Sequence, residues 1–135
     1  MTGSREESWV VVGEVVDGIW AGRRVWRSSG EVASVGFSWR QVLGREERRG
    51  DVIGWYHTHP SGLLRPSARD VRTMAAWCTC FGKPLLCAIG DGERLAGFLF
   101  GRRYGEQERA SEQPDDYQPL QRLVTLRDGR LVGVE

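Results

Sequence analysis

The chain holds two histidines, and they lie two residues apart in His57-Thr58-His59-Pro60. Asp70 follows with ten residues between it and His59, and Ser67 stands three residues before that aspartate. Two imidazoles and a carboxylate are the three protein ligands that a catalytic zinc needs if a water is to keep its fourth tetrahedral position. That open position is where a hydrolysis would begin. His57, His59 and Asp70 are therefore the candidate metal ligands, and Zn2+ is the candidate cofactor.

Such ligands must be carried by elements that bring them together. Asp51-Val52-Ile53-Gly54-Trp55-Tyr56-His57-Thr58-His59 is apolar and aromatic enough for a strand. Its period of two places both imidazoles on one face, with Trp55 and Ile53 behind them. Ser67-Ala68-Arg69-Asp70 opens a helix, because Val71, Met74, Ala75 and Cys78 recur at helical spacing. Asp70 then sits in the first turn, where the positive end of the helix dipole favours an ionised carboxylate. The loop from Pro60 to Pro66 has the length and the Pro/Gly content to join strand to helix. Ser67-x-x-Asp70 is also a capping box, in which both side chains satisfy helix amides. The two roles are compatible, since a hydroxyl can accept from an amide while donating its own proton, and the aspartate has a second oxygen. Cys78 and Cys80 fall on different faces of this helix and read as packing residues. Trp55 and Trp77 read as core or groove walls.

The remaining pattern describes a mixed α/β layer structure with a mainly antiparallel sheet flanked by helices. Ser8 to Val16 and Ile19 to Arg27 form a strand pair around Asp17-Gly18, a short hairpin signal. A third strand is expected over Val32 to Phe37. Trp39 to Arg49 has helical composition and ends at Gly50, and the Asp70-bearing helix runs from about Ala68 to Phe81 and stops at Gly82. Pro84 to Ile89 and Leu95 to Phe100 make a second hairpin around Asp91-Gly92, and Arg122 to Val134 a third around Asp128-Gly129. Residues from about Arg102 to Pro119 are polar and acidic and read as a surface excursion. There is no internal repeat.

Composition agrees with a small enzyme. A chain of 135 residues is expected to form a single domain over 1–135, burying about two thirds of its unfolded surface and so holding a rigid site without staples. The net charge of +1, from 19 basic and 18 acidic residues with no basic block, argues against a nucleic-acid or membrane surface. Three cysteines, an odd number, argue against a disulfide framework and for a reducing cytoplasm. No apolar run is long enough for a signal peptide or a membrane span.

Taken together, Gly54-Trp55-Tyr56, His57-x-His59-Pro60 and Ser67-x-x-Asp70 resemble the JAMM motif of the JAMM/MPN+ metalloproteases, best known as deubiquitinases. The resemblance covers about residues 6–100, with 101–135 as excursion and C-terminal hairpin. It implies a cytidine-deaminase-like JAB/MPN architecture. The family places a glutamate seven residues before a glycine that ends an apolar strand, and Glu6-Glu7-Ser8-Trp9-Val10-Val11-Val12-Gly13 puts Glu6 there. Few residues precede it, so the N-terminal helix usual in the family is expected to be absent or very short, and Glu7 and Glu14 are alternative positions. The resemblance implies that Glu6 is the general base and that Ser67 supports the oxyanion. The implied substrate is the extended C-terminal Gly-Gly tail of a ubiquitin-like or sulfur-carrier protein, laid beside a sheet edge. Two rival readings are a catalytically inactive MPN scaffold and a RadC-like protein, whose motif is similar to His57-x-His59-Pro60-Ser61-Gly62 with Pro66-Ser67-x-x-Asp70.

Overall fold

Seven strands and two helices make up the computed structural model, which describes residues 6–30, 39–59, 62–101 and 119–135. In chain order they are β1 (Glu6–Val16), β2 (Ile19–Gly30), α1 (Trp39–Arg49), β3 (Val52–Thr58), α2 (Ala68–Phe81), β4 (Leu85–Gly90), β5 (Leu95–Phe100), β6 (Leu120–Arg127) and β7 (Arg130–Val134). The expected strand over Val32 to Phe37 and the polar stretch 102–118 lie outside the described residues.

Local chemistry explains most of these boundaries. Asp17 and Gly18 both take positive φ, 51° and 75°, as do Asp128 and Gly129, 53° and 77°. These are two-residue turns whose twist matches that of paired strands. The β4–β5 connection is wider than the expected Asp91-Gly92 turn. It runs from Asp91 to Arg94, because the Asp91 side chain accepts from the Glu93 and Arg94 amides at 2.9 and 2.7 Å and holds a four-residue turn. Helix α2 begins at the Ser67 cap and ends at Gly82, whose φ of 69° lets its N–H return to the Cys78 carbonyl. Helix α1 is fastened to the start of β3 by Arg45, which donates to both Asp51 carboxylate oxygens at 2.8 and 2.7 Å.

The sheet is mixed and mainly antiparallel, as expected, with β3–β4 its parallel pair. It is not an open layer, however. The strands close in the order β1-β2-β7-β6-β5-β4-β3, with β1 pairing again to β3. The closure is made by the C-terminal hairpin, which pairs to β5 through β6 and to β2 through β7. One apolar cluster, Val11, Trp20, Ile53, Tyr56, Leu86, Ala88, Leu99, Val124 and Leu131, draws on all seven strands and fills the barrel. The other joins the outer face of β1, β3, β4 and β5 to Val42 of α1 and to Met74 and Cys78 of α2. Helices therefore cover one side of the barrel.

Strand alternation sends Trp55 to the outer cluster, on the side of His57, but Ile53 lies in the barrel. The expectation that Ile53 backs the histidines is corrected by a bulge. Val11 pairs with Gly54 while Val12 pairs with Val52, so Ile53 is the extra residue and the faces exchange there.

Candidate metal centre

His57 ends the buried run of β3, and its side chain turns outward toward α2. His59 lies just past the strand, and its N–H donates to the Gly90 carbonyl at the end of β4 at 2.9 Å. Because β3 and β4 are parallel, the chain must cross over between them through α2. The start of α2 therefore returns to the end of β3 that it left, and Asp70 arrives beside both imidazoles.

His57 Nε2 and His59 Nε2 are 3.0 Å apart, and each lies 3.3 Å from Asp70 Oδ2. All three residues are buried. A tetrahedral ion with bonds of about 2.0–2.1 Å has donor atoms about 3.3–3.4 Å apart. The triangle formed here is close to one face of that tetrahedron, and nitrogen, nitrogen and carboxylate oxygen suit zinc. The residues present thus fit the ion.

The surrounding hydrogen bonds fix which atoms face it. His59 Nδ1 lies 2.7 Å from the Leu63 carbonyl, which can only accept, so Nδ1 carries the proton and Nε2 keeps its lone pair. The capping box at Ser67 is complete: the Asp70 amide donates to Ser67 Oγ at 3.1 Å and the Ser67 amide to Asp70 Oδ2 at 2.8 Å. The expected division of labour between the two aspartate oxygens does not hold. Oδ2 both accepts the cap and faces the histidines, which its two lone pairs permit. Burial pushes the Asp70 carboxyl up, but the bonds to His57 and His59 and from the Ser67 amide outweigh it and hold the group well below the usual carboxylate range. His59 is raised above an ordinary imidazole, chiefly by its bond to Asp70 and against burial.

The three glutamates separate clearly. Ser8 of β1 pairs with His57, so the same antiparallel register carries Glu6 to His59, where its Oε1 is 3.7 Å from His59 Nε2. The Glu6 carboxyl is raised by burial, opposed by His59 and His57. Glu7 points away and pairs with Arg27 at 2.7 Å, while its amide donates to Thr58 Oγ1. Glu14 is exposed and lies eight residues beyond Glu6 along β1, opposite Ala21. Ser67 is exposed at the mouth of the site, and its hydroxyl proton is donated to none of the described residues. Cys78 and Cys87 are buried and Cys80 is exposed, and none joins the cluster. Trp55 is core and packs against Trp77, with ring centroids 5.2 Å apart and the planes tilted by 33°.

Sequence reasoning missed Arg94. It donates from Nε to Asp91 Oδ2 at 3.0 Å and from Nη2 to the Gly62 carbonyl at 3.0 Å. The available signal was Asp91-Gly92-Glu93-Arg94, a turn whose aspartate can organise both the backbone and the arginine.

A buried His-His-Asp group able to hold a metal, set at the crossover of a parallel strand pair in an α+β fold, defines a candidate metal-binding domain. The family model described as prokaryotic homologs of the JAB domain matches residues 2–103, and the chain belongs to that family. A comparison with curated proteins gives no match. Among the described residues no helix is long and apolar enough to cross a membrane.

Proposed function

We propose that this protein is a zinc-dependent JAMM-type peptidase that hydrolyses the amide bond after the C-terminal Gly-Gly tail of a ubiquitin-like or sulfur-carrier protein. One observation carries the reading: three buried donors at 3.0–3.3 Å stand beside a fourth, desolvated carboxylate 3.7 Å away. A scaffold without activity has no use for that fourth group.

On this reading His57, His59 and Asp70 hold the zinc, which supplies Lewis acidity that brings the pKa of a water toward about 7 and polarises the scissile carbonyl. Glu6 takes the proton from the attacking water and returns it to the departing amine as the C–N bond breaks. A carboxyl lifted by burial is a better base than a solvated one, because its pKa lies nearer the working pH. Ser67 donates its free hydroxyl proton to the carbonyl oxygen as charge develops there. Among the described residues, the outer stretch Val25–Gly30 of β2 pairs with β1 alone, and such an edge suits an extended tail. The cytidine-deaminase-like architecture and a cytoplasmic setting belong to the same proposal, the latter supported by three free cysteines.

Elemental analysis of the purified protein and cleavage of a Gly-Gly-linked fusion test the reading. One zinc per chain is expected, with cleavage lost on chelation and restored by zinc. A protein without zinc, or one that cuts equally well after chelation, overturns it.

A further inference from the structure

Among the described residues, the loop that aims His59 has few ties to the rest of the molecule. Gly62 N–H donates to the His59 carbonyl at 3.0 Å, and the Leu63 carbonyl accepts from His59 Nδ1. Both bonds are internal to the loop. Leu64 packs against the outer cluster, whereas Leu63 and Arg65 are exposed. Among the described residues, the bond from Arg94 Nη2 to the Gly62 carbonyl is the one hydrogen bond that ties 62–66 to chain beyond the site segment 59–70.

Arg94 is itself held in place. Asp91 Oδ2 accepts from its Nε at 3.0 Å and pairs with its Nη2 at 2.9 Å. Asp91 is fixed in turn by the Arg94 and Glu93 amides on Oδ1, which hold its carboxyl down at about 2. Asp91 follows Gly90, whose carbonyl accepts the His59 N–H. The bonds thus form a closed ring: His59 N–H to Gly90, Asp91 to Arg94, Arg94 to Gly62, and Leu63 back to the His59 ring.

We propose that Arg94, clamped by Asp91, is a positioning residue for His59: by holding the Gly62–Leu63 peptide it sets the carbonyl that orients the imidazole toward the metal position. The proposal rests on the zinc reading of the site. A rigid partner at Nδ1 matters because it fixes both the tautomer and the direction of the Nε2 lone pair, and losing such a partner costs about tenfold to a hundredfold in metal affinity. Charge alone acts the other way. Removing a cation near a cation site strengthens metal binding, so the sign of the change separates the two effects.

The test compares Arg94→Met with Arg65→Met, which removes an equal charge from the loop without a hydrogen bond. Zinc affinity is measured by chelator competition, and the Co2+-substituted absorption spectrum reports donor geometry. Arg94→Met is expected to bind zinc ten to a hundred times more weakly with an altered Co2+ spectrum, while its metal-free melting temperature stays close to wild type. Arg65→Met should bind as wild type or slightly better, and Arg94→Lys should restore part of the loss. Unchanged or tighter zinc binding by Arg94→Met overturns the proposal, as does a loss matched by Arg65→Met. The metal-free proteins give a second readout: the His59 Nδ1 proton is expected to exchange slowly by NMR in wild type and fast in Arg94→Met. If wild type binds no zinc, the zinc reading fails, and this exchange measurement alone decides for or against the Arg94 role.

Discussion

Ser67→Ala separates a helix cap from a catalytic hydroxyl, because the two roles differ in size and in where they are felt. The substitution removes one acceptor, the Oγ that takes the Asp70 amide at 3.1 Å. It leaves the reverse bond untouched, since Asp70 Oδ2 accepts from the Ser67 backbone N–H at 2.8 Å. The aspartate therefore keeps its orientation and the metal its ligands. Losing a serine cap costs about 1 kcal/mol, and at an exposed position water can take over the freed amide, which keeps the cost from rising further. For a chain of this size that corresponds to about 3–5 °C in melting temperature. A hydroxyl that stabilises the oxyanion is worth far more to turnover, about a hundredfold to a thousandfold in kcat. Melting by circular dichroism, zinc content and steady-state cleavage of a Gly-Gly-linked fusion, all on the same variant, give the comparison. We expect a small fall in melting temperature, full zinc, and a kcat reduced at least a hundredfold. A lowered melting temperature with native kcat refutes the catalytic role and leaves Ser67 a cap. Loss of zinc refutes the argument that the backbone amide alone suffices to hold Asp70.

Glu6→Gln should keep its zinc, because Glu6 lies outside the donor triangle, and should lose about a hundredfold to ten-thousandfold in kcat; native turnover in this variant removes Glu6 as the base. The double variant His57→Ala, His59→Ala should bind no zinc yet retain the wild-type far-ultraviolet spectrum, since β3 and α2 are held by the outer cluster and not by the metal. Zinc affinity should fall on acidification, and the fall should begin above the pH at which an ordinary imidazole titrates, because His59 is raised and must be neutral to bind. In the metal-free protein the sign is reversed: the stability that His59 gains from Asp70 is fully present below the ordinary imidazole value and is lost as pH rises through the raised one. Chelator competition and thermal melting across that range check both. Gly54→Ala should cost about 3 kcal/mol or prevent folding, since a Cβ there would meet the Leu86 carbonyl of the neighbouring strand; a melting temperature equal to wild type would show that the strands can part.

The elements and the grouping of the three candidate ligands were legible because they are local. Capping residues and turn pairs mark α2, the β1–β2 hairpin and the β6–β7 hairpin, and the three candidate ligands sit on one strand end and one helix start. What could not be read depends on pairings between distant strands. The spacing of seven residues to Gly13 singles out Glu6, but what brings its carboxylate to His59, and not that of Glu7 or Glu14, is the register of β1 against β3, fifty residues away. The same pairing introduces the bulge that turns Ile53 into the barrel. Closure of the sheet is likewise set by β7 meeting β2, which no window of sequence contains. Arg94 escaped because its importance lies in a backbone carbonyl 32 residues earlier, and backbone acceptors carry no residue-type signal.

The closed barrel also sets the order in which this protein acquires its properties as it folds. Contacts between residues near in sequence form before those that must close long loops. His57, His59 and Asp70 fall within a span of 14 residues, inside the continuous unit from β3 to β4, whereas Glu6 stands 51 residues before His57 and reaches it only when β1 pairs with β3. The last stave requires Ile19 to meet Val134. On the peptidase reading, a refolding chain should therefore capture a metal ion before it can cut, because cleavage waits for β1 to pair with β3. Stopped-flow refolding in Co2+ would reveal this as a metal absorption band rising ahead of peptidase activity, and simultaneous appearance of the two would contradict it.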